Sequence, residues 1–161
     1  MPMFSITRRA ALGSGAGLLA FGCSARPDMA ANSRGNSANW RDGPALPFAV
    51  QEIYPARHKD QIHLAGGFIS EGGRISGVTD RHIRLDPATG LWADAAALPA
   101  PRHHPNLISF QDRLLAIGGF QAESEQAVWV MQSGVWAFDG EGWTDAPSLP
   151  QPNGESVSGV V

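Results

Sequence analysis

Apolar residues along this chain gather in short runs of four or five, closed by glycine, proline or aspartate, rather than in helical stripes. Leu107–Phe110 and Leu114–Ile117 are two such runs. The Gln-Asp-Arg break between them predicts a tight hairpin. His82–Leu85 and Val128–Phe138 predict the next strand of their respective segments. Asp86-Pro87-Ala88-Thr89-Gly90 and Asp139-Gly140-Glu141-Gly142 have the residues of turns, where Asp bonds its own backbone and Gly tolerates positive φ. A tryptophan then opens a last strand, and Leu-Pro ends it.

That pattern recurs. Trp40–Pro47, Trp92–Pro99 and Trp143–Pro150 align on Trp, Asp and Leu-Pro, with the tryptophans 52 and 51 residues apart. Between them Ile62–Gly67 and Leu114–Gly119, offset by 52, each end in a glycine pair. Four short strands in about 50 residues is the content of one propeller blade. The glycine pairs read as sites of close backbone approach. They are not phosphate loops, because neither opens a helix or precedes a lysine.

The run Pro101-Arg102 … Gly118-Gly119 … Phe138-Asp139 … Trp143 … Leu149-Pro150 resembles the kelch repeat, as does Ile62 … Gly66-Gly67 … Leu85-Asp86 … Trp92 … Leu98-Pro99. The resemblance covers roughly residues 40–161 and implies an all-β, kelch-type β-propeller: about two four-stranded blades plus partial blades at each end. It departs from the repeat at the usual tyrosines, where His63, Leu115, Leu85 and Phe138 stand. The expected division is a closing strand at 40–47, blade one at 48–99, blade two at 100–150 and the start of a third blade at 151–161. On this phase the next glycine pair would fall beyond Val161, so the sequence reads as the N-terminal fragment of a longer ring. Trp40, Trp92 and Trp143 are expected to pack blades rather than to serve as sugar platforms.

Residues 1–23 read as an export signal. Arg8-Arg9 precede an uncharged run, Ala10–Gly22, that is too short to span a bilayer. Thr7–Leu12 resembles the twin-arginine motif, apart from Ala11 where a bulky apolar residue is usual. Cys23, the only cysteine, follows a degenerate lipobox and is a lipidation candidate. Cleavage after Ala25 is the alternative. Residues 24–39, rich in Ser, Asn, Ala, Arg and Gly, suit a flexible linker. The expected location is the periplasm or cell envelope, with membrane attachment only through a lipid anchor. The net charge of −3 becomes −5 without residues 1–23, which argues against nucleic acid as a partner.

Superposing the units on Leu-Pro ranks Val50 with Arg102 and Asn153, Gln51 with His103 and Gly154, and Glu52 with His104 and Glu155. These positions lead into the innermost strand of each unit. Arg102, His104, Glu52, Glu155 and Asn153 are therefore the ligand-binding candidates. Arg102 could grip a carboxylate through two hydrogen bonds, or tie blades together. His103 and His104, being adjacent, would point to opposite faces of a strand and could not share a metal. No metal and no cofactor is expected. The polar stretches Ser70–Arg81 and Gln121–Gln126 are the expected binding loops.

Catalytic residues are not defined by this pattern. Copper-radical galactose oxidases resemble the chain in their repeats, but Tyr54 is the only tyrosine and Cys23 lies in the export signal, so that chemistry cannot be assembled from this segment, although missing blades could carry it. The favoured expectation is a binding module for a protein or carbohydrate. The alternative is a sugar-acting periplasmic enzyme such as a sialic acid mutarotase (N-acetylneuraminate epimerase-like), with Arg102 as anion clamp and Glu52 or Glu155 as acid/base.

Overall fold

Each four-stranded sheet grows from a hairpin with a two-residue loop. A computed structural model describes residues 41–124 and 126–161. The export signal, Cys23, the linker and Trp40 lie outside the described residues. In the first unit β2 (Ala56–His58) turns at Lys59-Asp60 into β3 (Gln61–Ala65); in the second β8 (Asn106–Phe110) turns at Gln111-Asp112 into β9 (Arg113–Ile117). Lys59 and Gln111, 52 apart, both have positive φ (53° and 52°), as tight hairpins between twisted strands require. The outer half of each sheet follows the same plan: β6 (His82–Asp86) and β7 (Leu91–Ala95) give the order β2-β3-β6-β7, and β12 (Val135–Phe138) and β13 (Trp143–Ala146) give β8-β9-β12-β13. All pairings are antiparallel.

The glycine pairs join one sheet to the next through a network that repeats bond for bond. Gly67 N–H donates to the Arg102 carbonyl at 2.8 Å, and Gly119 N–H to that of Asn153 at 2.9 Å. Gly66 bonds the Arg81 carbonyl and Gly118 that of Gly134. All four glycines have positive φ, and a Cβ on Gly66 or Gly118 would strike the carbonyl of Arg102 or Asn153. Only glycine meets both demands. The tryptophans add a second repeated tie: Trp92 Nε1 donates to the Pro44 carbonyl at 3.5 Å and Trp143 Nε1 to that of Ala96 at 2.9 Å, the acceptors again 52 apart. Residues 41–47 form no strand.

The apolar core is the seam between the sheets. Ala65 and Leu98 from the first meet Leu107, Leu114, Ala116, Trp136 and Phe138 from the second, all buried. This explains why neither unit alternates cleanly: a central strand such as β12 is buried along its whole length.

Two sequence expectations change. The run Val128–Phe138 is two strands, because Gln132 N–H and Gly118 N–H bond the Gly119 and Gly134 carbonyls and break the ladder between them. Its first part, β11 (Val130–Met131), pairs with β10 (Phe120–Gln121). The stretch Ser70–Arg81 is mostly a hairpin, not an irregular loop. β4 (Phe68–Glu71) and β5 (Arg74–Val78) turn at Gly72-Gly73 and take β1 (Val50–Gln51) as an edge partner. Both turn glycines have positive φ, so the pair is itself a hairpin signal that the sequence carries.

Candidate functional site

The lead-in segments carry the ranked residues, and the structure separates the five candidates into three groups. Arg102 turns inward and is 3% exposed. One terminal nitrogen donates to the Gly118 and Gly134 carbonyls at 3.1 and 3.3 Å, and the guanidinium lies 3.8 Å over the Trp136 ring. Burial lowers its pKa to about 10. Its backbone carbonyl is already held by Gly67. The side chain is a tie between the two sheets and presents no fork to a ligand. Asn153 is exposed, and its backbone holds the glycine pair of the second unit.

Glu52, His104 and Glu155 come together. His104 Nε2 is 2.9 Å from Glu52 Oε2 and 3.7 Å from Glu155 Oε1. The carboxylates are about half and two-thirds exposed, while the ring is buried. Glu52 and His104 both adopt positive φ (57° and 54°) at equivalent positions, unusual for residues with side chains. That turn corrects the expectation for His103 and His104. His103 makes an antiparallel bridge to Phe120, but His104 leaves the extended backbone, so strand alternation does not apply to the two. Their Nδ1 atoms are 2.7 Å apart. Among the described residues no group of three or more His, Cys, Asp and Glu is placed to hold a metal.

Aromatic rings wall this cluster. His103 stacks on Phe68 at 4.0 Å and on Phe120 at 5.2 Å, and Trp129 meets both histidines edge-on or tilted. Tyr54 lies 5.8 Å from His104. Desolvation, with Glu155 and Glu52 nearby, raises its pKa. Beyond Phe68 a groove of about 440 Å³ runs between the β4–β5 hairpin and Ala122, Ser124 and Val128, with Phe68, Ile75 and Val78 on the hairpin side. Ile75 and Trp129 are 55% and 54% exposed. Trp129 was not singled out in the sequence. Its neighbour-rich setting depends on two hairpins folding to the same side, which no local pattern records.

A second histidine set lies in the seam. His63 Nδ1 is 2.8 Å from His82 Nε2, and His82 Nδ1 is 3.1 Å from the Ala96 carbonyl. His58 Nδ1 bonds Ser109 Oγ across the sheets at 2.8 Å. Phe138 and Trp143 pack on His82. The sequence signal was the replacement of a repeat tyrosine by His63; its partner, 19 residues on, carried none.

The repeated sheets, the glycine-pair ties and the tryptophan ties define an all-β propeller segment. No protein-family model matches the chain. It is 28% identical over 141 residues to Kelch-like protein terF of Aspergillus terreus, covering 83% of this chain and 30% of that protein. It is 32% identical over 83 residues to Kelch-like protein 40 of Xenopus laevis, covering 50% of this chain and 14% of that protein. The solved structure of YjhT superposes with a TM-score of 0.51 at 12% identity, over 63% of this chain and 39% of that one, a likeness of fold. The chain is similar to kelch-repeat proteins, and its sheets are those of a kelch-type propeller segment. It spans less than a third of the length of the curated relatives named here.

Proposed function

We propose that the chain is part of an exported kelch propeller that binds a protein partner through the face bearing the β4–β5 and β10–β11 hairpins. The groove between those hairpins carries this reading. Its apolar lining is bordered by half-exposed Ile75 and Trp129, and exposed apolar surface of this kind marks interaction sites in water-soluble proteins. The kelch relatives support a recognition role. Export rests on Arg8-Arg9 and the uncharged run after them, and anchoring on Cys23.

Carbohydrate binding is the second reading, favoured by Trp129 and Tyr54 beside two carboxylates. An anionic sugar, the mutarotase version, fits less well: Arg102 was to be its clamp, and that guanidinium is buried on carbonyl oxygens.

Photo-crosslinking groups placed at Ile75 and at Arg57, in the cell that makes the protein, test the proposal. Arg57 sits in β2, at the other side of the blade's inner hairpin. A discrete protein adduct from position 75, absent from position 57 and lost on Trp129→Asp, is expected. Equal adducts from both positions, or none, overturn the protein reading. Saturable binding to a glycan array that Trp129→Asp abolishes would replace it with the carbohydrate one.

A further inference from the structure

The two histidine pairs have similar spacings but different proton counts. In the seam, the Ala96 carbonyl can only accept, so His82 Nδ1 carries hydrogen and its Nε2 is bare; His63 Nδ1–H fills it. Both rings are neutral and every bond is satisfied. At the face the same reasoning fails to close. The Val128 carbonyl, 2.7 Å from His103 Nε2, requires a hydrogen there. A neutral His103 then has a bare Nδ1, which His104 Nδ1–H fills at 2.7 Å. A neutral His104 is left with a bare Nε2 facing Glu52 Oε2 at 2.9 Å. Two acceptors at that distance need a proton between them.

We infer that the Glu52–His104–His103 chain holds one proton more than an ionised glutamate and two neutral imidazoles would, and that this proton makes Glu52, His104 and Glu155 a pH-sensitive latch across three successive lead-in segments. The proton could rest on any of the three chain members, and their surroundings choose. His103 is fully buried between Phe68 and Phe120, a poor place for charge. Glu52 is half in water, which favours its ionised form. His104 alone has two carboxylates near one nitrogen, Nε2, so the imidazolium forms there. The titratable groups facing it are Glu52 and Tyr54 from the segment before β2, His103 beside it, and Glu155 from the segment after β13. The other packed groups, Phe68, Phe120 and Trp129, carry no charge.

With the proton in place, both glutamates are drawn to one ring, alongside the bond that the His104 backbone N–H donates to the Glu52 carbonyl at 3.3 Å. Without it, a lone pair faces a carboxylate and the segments are pushed apart. The latch borders the aromatic wall of the groove, so its opening would alter that face whatever ligand the face takes.

Glu52→Gln provides a sharp test. Glutamine keeps the shape but donates its own N–H to His104 Nε2, completing the chain with no extra proton. Nitrogen-15 shifts of the imidazoles, followed from pH 5 to 9 in the full chain, report protonation ring by ring. In the parent protein at pH 8, where a free imidazole is neutral, both His104 nitrogens should carry hydrogen while His63 and His82 carry one each. In the E52Q variant at the same pH only Nδ1 of His104 should carry hydrogen, because the glutamine N–H fills Nε2. A neutral His104 in the parent at pH 8 overturns the inference, as does a doubly protonated His104 in E52Q at that pH. If the variant fails to fold, the parent spectrum alone decides.

Discussion

Acid should unfold this protein through the seam. His63 and His82 are neutral there, and burial, the first cause for both, lowers each pKa from 6.5 to about 4. The unfolded chain therefore binds protons that the folded one refuses. Their stabilising contribution is fully present above pH 6.5 and is lost as pH falls from 6.5 toward 4. At pH 5 an imidazole moved from 6.5 to about 4 has lost about 2 kcal/mol, and two independent ones about 4. Protonating His82 Nε2 would also set two N–H groups against each other, so the pair should lie toward the upper value. Against a typical total of about 5–15 kcal/mol this is a large fraction.

Urea unfolding of the full chain, followed by tryptophan fluorescence at pH 8, 6.5 and 5, measures the loss directly. His63→Gln separates the cause from general acid effects: its amide can still donate to His82 Nε2 but cannot titrate. The stability difference between pH 8 and 5 should shrink by about 2 kcal/mol in the variant. A parent protein equally stable at pH 5 and 8 would refute the reasoning, and so would a variant with an undiminished acid loss.

Arg102→Ala should lower stability by about 2–4 kcal/mol, from two charged hydrogen bonds and the Trp136 contact, and leave ligand affinity of the folded molecules unchanged; Arg102→Lys should not rescue it, since an ammonium cannot reproduce the planar contact. Gly118→Ala forces a side chain at φ 58° onto the Asn153 carbonyl and should cost about 2 kcal/mol or more in the same melts. Replacing Arg8 and Arg9 together by Lys should retain a reporter fusion inside the cell, and Cys23→Ser should abolish incorporation of a labelled fatty acid; unchanged export or labelling would remove the corresponding proposal.

What the sequence made legible was whatever the 52-residue period repeats. The glycine pairs, the Trp ties and the sheet order follow from it, because each is a backbone requirement imposed once per unit. The same superposition correctly grouped Glu52, His104 and Glu155, whose lead-in positions converge in space. It left Arg102 between ligand contact and a tie between blades, since rank fixes where a Cα sits and not where a long side chain goes. The strand rule applied to His103 and His104 failed for a related reason: His104 takes positive φ, and alternation holds only for extended backbone.

Chemistry in such a fold must sit where the units differ. At the first rank Val50 and Asn153 flank Arg102, and only the arginine can reach back between sheets to the Gly118 and Gly134 carbonyls. At the third rank one histidine stands between two glutamates, and an imidazole there can bridge both carboxylates where a third glutamate would repel them. The identical backbone turn at Glu52 and His104 shows that the repeat supplies the geometry. The difference of side chain supplies the proton, and with it a sensitivity to pH that a perfectly regular propeller would lack.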